Sequence, residues 1–340
     1  MARKRRYPKS EILAEDFGVE FSSTYLRHVY SGFEPSQAFD VVYGARFEHR
    51  LLSSKRANME HQRLTLGDIR LDTGCYDFPV IAKGSLPRDA VCIGFVAQGS
   101  EVTRYNTASI GEDEIQVYPP GVELLYHAVG ASRWVNFTVS EERLQMAAVA
   151  RAGRPLILPR ASAGSVRLLR GGRTSLTRLS DDAMVLARLL EPAGGIAPEL
   201  ARGISQALLA GYVDALVDAS AAYERSAAAE RHHHLILACE KLLIAGEDTD
   251  IALAEIAQRN GYSLRSLELI FRRSVGMTPG RWFMNVRLNG ALRDLLTPGS
   301  RCSVTEVASR WGFRHLSRFS DRYRNAFGEL PSETLHRSRG

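Results

Sequence analysis

In the last third of the chain, apolar residues fall at the same offsets twice. Leu253, Ile256 and Ala257 share one face of a short helix, and so do Val304, Val307 and Ala308. Ala257 and Ala308 are small enough for two helices to cross closely at those points. Each run stops at a glycine, Gly261 or Gly312, the residue that best tolerates the left-handed backbone of a helix end. A second amphipathic stretch follows each stop. Spacings of three and four place Leu264, Leu267, Phe271 and Val275 inward in the first copy, and Leu316, Phe319, Tyr323 and Phe327 inward in the second. The repeated plan predicts two helix-turn-helix units, at about 253–275 and 304–327. Between them Arg281 to Leu296 reads as a helix of ~24 Å, ended by Thr297-Pro298-Gly299. Its Trp282, Val286 and Leu292 are placed to pack against both units.

Upstream the periodicity is different. From Phe39 to about Val139, short β-branched and aromatic runs are divided by Gly, Pro and Asp, among them Asp40–Tyr43, Arg63–Leu66, Asp68–Leu71, Ala90–Val96 and Trp134–Val139. Such spacing predicts an antiparallel sandwich or barrel. Residues 11–35 read as loop and short helix, and from Glu141 the pattern turns helical, over 176–190 and 199–219. The expected architecture is α+β with two domains: 1–219 a barrel with flanking helices, 220–231 an Ala-rich linker, and 232–340 all-α.

Charge sharpens the division. Residues 232–340 hold 16 Lys+Arg against 11 Asp+Glu, so they carry +5 of the chain's +6. The excess lies on the outward faces of the repeat. Copy one offers Arg265, Ser266, Glu268, Arg272 and Arg273; copy two offers Arg314, His315, Ser317, Arg318, Ser320, Asp321, Arg322 and Arg324. A basic face of this kind suits phosphates. The four cysteines have no paired spacing and read as reduced, packed thiols. His49, His61 and His127 are isolated, and the consecutive His232, His233 and His234 point three ways on a helix, so no metal set is expected. No apolar run approaches membrane-spanning length and no apolar signal segment follows the basic Arg3–Arg6, so a soluble, cytoplasmic protein without membrane contact is expected.

The pattern Ala308…Gly312-Phe313…Arg318-Phe319…Tyr323-Arg324…Phe327-Gly328…Pro331 resembles the DNA-binding domain of the AraC/XylS family of bacterial transcription regulators. Ser263–Leu267 and Phe327–Ser332 are most similar to the XylS branch. With that match, the segment Gly111–Gly121 resembles the cupin-like sensor domain of the same family. The resemblance implies a DNA-binding regulator of a catabolic operon, an activator, with promoter DNA, RNA polymerase, a second copy of the chain and a small, possibly aromatic effector as partners, and no cofactor. It implies base reading by Arg265, Ser266, Glu268, Leu269, Ser317, Arg318 and Asp321, and phosphate contacts by Arg272, Arg273, Arg314, Arg322 and Arg324. Leu269 and Asp321 stand where many members carry Arg, so a distinct base preference is expected. Two other classes stay open: a regulator without a small effector, and a cupin enzyme fused to a DNA-binding module. Against the second stands the missing His-x-His pair of a metal cupin.

Overall fold

The computed structural model describes residues 21–39, 41, 45–52, 57–99, 104–106, 108–111, 113–219, 227–244, 249–298 and 302–339. In these, strands β1 (Ser23–Ser31), β2 (Phe47–Leu51), β3 (Asn58–Leu66), β4 (Ile69–Tyr76), β5 (Val80–Ser85), β6 (Val91–Gly99), β7 (Arg104–Tyr105), β8 (Ala108–Ser109), β9 (Glu114–Tyr118), β10 (Glu123–Ala128), β11 (Ser132–Val139) and β12 (Gly164–Arg167) build two sheets. Sheet A runs β1-β3-β4-β11-β6-β9-β12 and sheet B runs β2-β5-β10-β7-β8. The pairings among the described residues leave two open sheets and do not close a barrel. The expected run Asp40–Tyr43 lies mostly outside the described residues.

Alternation along each strand decides what lies on each face. Trp134 of β11, Tyr76 of β4 and Tyr118 of β9 point toward sheet B, where Phe47, Ala82 and Tyr126 meet them in one core. Their neighbours Val135 and Phe137 point the other way, to the helices α1 (Glu141–Ala152), α2 (Gly172–Leu190) and α3 (Pro198–Asp218). There the Phe137 and Tyr212 rings stack 4.1 Å apart. Strand β1 departs from the expected loop. It lies at the edge of sheet A with six of its nine residues exposed, Leu26 by 61%, and none fully buried, so burial imposed too little alternation to mark a strand in sequence.

The remaining helices form the C-terminal domain: α4 (Ala227–Ile244), α5 (Thr249–Arg259), α6 (Leu264–Val275), α7 (Pro279–Leu296), α8 (Val304–Arg310), α9 (Leu316–Phe327) and α10 (Pro331–Arg337). Helix α4 begins inside the expected linker, of which 220–226 lie outside the described residues. On it His233 is buried and His234 exposed. This domain covers the outer face of sheet B. Ile81 and Leu125 point out from that sheet into a core of Leu235, Ile236, Phe271, Trp282 and Val286. The molecule is therefore four layers deep: helices, sheet A, sheet B, and the helix-turn-helix domain. Cys92 and Cys239 are packed as expected, whereas Cys75 is exposed near the end of β4.

Candidate nucleic-acid interface

The two units share a backbone plan. In the first, the chain leaves α5 through Gly261 at φ +73°, and the Tyr262 amide donates to the Ala257 carbonyl at 2.8 Å. In the second, it leaves α8 through Gly312 at φ +74°, and the Phe313 amide donates to the Ala308 carbonyl at 2.9 Å. A Cβ at either glycine would force a side chain into the left-handed region, so both turns depend on Gly. Ser263 caps α6 by accepting from the Ser266 amide, and Ser303 caps α8 in a reciprocal box with Glu306. Gly276 and Gly328 close α6 and α9 in the left-handed conformation.

Helix α7 joins the units. Phe271 of α6 meets Trp282 and Phe283 of α7 edge-on, at 6.5 and 5.8 Å between ring centres. At the other end the Trp311 indole lies so close over Gly290 that a Cβ there would come within 2.1 Å of it. The Trp311 N–H donates to Asp294 at 3.0 Å, and Arg310 pairs with the same carboxylate at 2.9 Å. Among the three residues expected to pack against the units, Trp282, Val286 and Leu292 are all buried.

The structure places the candidate residues as follows. On α6, Arg265, Leu269, Arg272 and Arg273 are exposed, while Ser266 and Glu268 are half-buried. Glu268 accepts from Arg272 one turn along at 2.9 Å, so one candidate base reader already holds one candidate phosphate contact. On and before α9, Arg314, Ser317, Arg318, Asp321, Arg322 and Arg324 are exposed. Arg322 also reaches back toward the Met284 sulfur at 3.8 Å. Two expected core positions are corrected. Leu264 and Leu316 are 56% and 44% exposed, because each opens its helix, where the turn that would cover it has not begun. Leu269 is 46% exposed, so an apolar side chain stands in the middle of the first reading face.

Sequence reasoning missed a second set of functional groups, those that fix this domain to sheet B. Arg50, 1% exposed, donates to both oxygens of Glu240 on α4 at 2.6 and 3.0 Å and to Glu48 at 2.8 Å. Lys83 donates to Glu240 at 2.8 Å, and Arg293 of α7 to Glu48 at 2.8 Å. Burial alone would raise the Glu48 carboxyl, but Arg50 and Arg293 prevail and hold it at about 2. Burial opposes it there too, but Arg50 and Lys83 hold Glu240 below the ordinary carboxylate range. Burial holds the His127 imidazole at about 4, with Arg104 adding to the effect. The only signal in the sequence was Glu48 and Arg50 alternating with apolar residues, a pattern shared by any solvent-facing strand side.

Among the described residues no group of His, Cys, Asp or Glu forms a metal site, and no helix is long and apolar enough to cross a membrane. Residues 256–337 match the family model described as a helix-turn-helix domain. The chain is similar to a thc operon regulatory protein of Rhodococcus erythropolis, 44% identical over 87 residues, which is 25% of this chain and 26% of that one. It is 41% identical over 87 residues to the XylDLEGF operon transcriptional activator of Pseudomonas putida, covering 25% of this chain and 27% of that one. The matches thus span about a quarter of the length of these curated relatives. Among solved structures, an AraC family transcriptional regulator of Rhodopseudomonas palustris is 32% identical, covering 32% of this chain and 99% of that one, with a TM-score of 0.29.

Proposed function

The chain belongs to the AraC/XylS family by its C-terminal domain, and from this we propose that it is a sequence-specific DNA-binding transcriptional regulator, an activator of a catabolic operon. One observation carries the proposal: two helices of the same plan, α6 and α9, each present an exposed, basic outer face, and both are fixed to one spacer helix. Successive major grooves on one side of B-DNA lie about 34 Å apart. A rigid ~24 Å spacer, with the offset of each reading helix from its ends, suits that distance within one molecule.

In this reading Arg265 and Arg318 donate to guanine O6 and N7, the usual guanidinium partners in the major groove. Ser266, Glu268, Leu269, Ser317 and Asp321 complete the base-facing set, and exposed Leu269 suits a thymine methyl group. Arg272, Arg273, Arg314, Arg322 and Arg324 hold phosphates and fix register.

The N-terminal domain acts as the sensor and supplies the contact to a second copy of the chain. Its interior cavity is about 10 Å³, room for roughly one water, and is lined by Phe47, Tyr76, Tyr105, Tyr126, Trp134 and Asn136. The Tyr105 hydroxyl and the Asn136 carbonyl oxygen are buried there without hydrogen-bond partners. Such an aromatic lining with polar points suits a small aromatic acid, which would enter only as those rings move apart. Transcription in vitro from the DNA upstream of the chain's own and adjacent genes tests the activator reading. Output rising with added chain supports it; output falling contradicts it. A panel of aromatic acids that never raises the melting temperature contradicts the sensor and favours a regulator without a small effector.

A further inference from the structure

Strand β2 is the edge of sheet B, and three of its five residues hold the C-terminal domain. Glu48 takes Arg293 of α7, and Arg50 takes Glu240 of α4. Leu51 takes Asn289 of α7 through its backbone: its amide donates to the Asn289 side-chain oxygen at 2.8 Å, and its carbonyl accepts from the Asn289 side-chain NH₂ at 3.0 Å. The carboxamide thus does for the sheet edge what another strand would do, satisfying both backbone groups of a buried residue. Asn289 and Arg50 are each 1% exposed, so water does not compete for these bonds. The Arg50 guanidinium also lies 5.8 Å from the Trp282 ring centre, at the start of α7. One short strand therefore grips α4, which packs on the first unit, and the spacer at several points.

The other face of the same strand looks into the sensor. Phe47 lines the cavity, and His49 bonds the Tyr76 hydroxyl at 3.1 Å. Because side chains alternate along a strand, a shift of β2 that makes room inside must move Glu48, Arg50 and the Leu51 edge outside. The grip does not cover the reading faces, since Arg265, Leu269, Ser317 and Arg318 are all exposed in the docked molecule. Its effect is on placement.

We propose that β2 sets the placement of the two reading helices relative to each other, with Arg50, Glu240 and Asn289 as positioning residues that never touch DNA. The proposal rests on the DNA-binding reading given above. Two reading helices held at the right separation bind a two-groove site as one body, and loosening the spacer forfeits the gain of linked binding. A single-groove site gains nothing from placement, so its affinity is indifferent to the grip.

The test uses the full chain. Wild-type protein selects duplexes from a random-sequence library, and binding is then measured at one salt concentration to the selected two-groove duplex and to a version keeping one groove's sequence. Asn289→Ala should expose the Leu51 amide to hydrogen exchange and weaken the two-groove duplex by about tenfold or more. The one-groove duplex should stay within about twofold of wild type. Arg50→Met should behave alike, and Arg50→Met with Glu240→Met should recover, because removing both charges leaves no buried ion unpaired. Two-groove affinity that is unchanged or tighter, with the Leu51 amide exposed, overturns the proposal while leaving the functional reading intact. A wild-type chain that selects no duplex overturns both.

Discussion

The two helix-turn-helix units have one backbone plan and two kinds of anchor. The first is seated on the N-terminal domain: Phe271 and Val275 of α6 share a core with Ile81 and Leu125 of sheet B, and charged groups tie α4 to β2. The second is held chiefly by its own spacer, through Trp311 over Gly290 and Asp294. Its core is continuous with the inner core of the N-terminal domain, and Phe33 lies between the Phe327 ring at 5.9 Å and the Arg337 guanidinium at 5.4 Å. Residues inside a repeat specify the local turn; residues outside it decide what each copy answers to. A change in the N-terminal domain can therefore reach the first unit through sheet B and β2, and the second through α7 and Phe33.

The sharpest way to break this asymmetry is at the buried pair. Arg50→Met leaves Glu240 buried with Lys83 as its remaining cation and should cost about 3–5 kcal/mol of stability. In a urea titration read by hydrogen exchange, the loss should appear in α4 and α6 before α9; loss in α9 first would refute the unequal anchoring.

Acid comes next. His49 and His127 both have folded-state values near 4, below the ordinary value of about 6.5, because burial disfavours their charged forms. Between those values the unfolded chain binds more protons, so their contribution is complete above pH ~6.5 and is lost as pH falls toward 4. Each contributes on the order of 3 kcal/mol. A Cβ placed on Gly276 at the end of α6 would lie 3.9 Å from the His127 ring, so the imidazole faces this helix end and His127→Gln should flatten the pH dependence of unit-one docking specifically. An unchanged slope between pH 6.5 and 4 would assign the acid response elsewhere.

For the second unit the matching change is Gly290→Ala, which sets a methyl within 2.1 Å of the Trp311 ring. Overpacking of this kind costs about 1–3 kcal/mol, and its exchange signature should fall on α8 and α9 alone. At the reading faces, Arg265→Ala and Arg318→Ala should each lose about 1–3 kcal/mol at one base position. Comparable losses on every DNA sequence would move either residue from base to phosphate.

How much of this was legible in the chain follows from what each pattern depends on. The turn glycines, the small Ala257 and Ala308 and the inward Phe271 and Tyr323 are local requirements of a helix-turn-helix, and they read directly. Leu264 and Leu316 misled because periodicity places a residue on a face without saying whether anything lies opposite it. Strand β1 escaped because an edge with no fully buried residue needs little alternation. The Arg50–Glu240 pair spans 190 positions, and its partners look like ordinary surface charges until the fold brings them together. Arg265 and Arg318 read from position alone, because an exposed site early in each second helix needs no partner within the chain.

The central claim is that two reading helices in one molecule engage successive grooves. Footprinting of the full chain on DNA upstream of its own and adjacent genes, at fixed salt and with and without small aromatic acids, tests it most directly. Two successive major grooves on one face of the duplex should be protected, with Arg265→Ala erasing one and Arg318→Ala the other. Protection with no sequence preference above the salt-dependent background would contradict it.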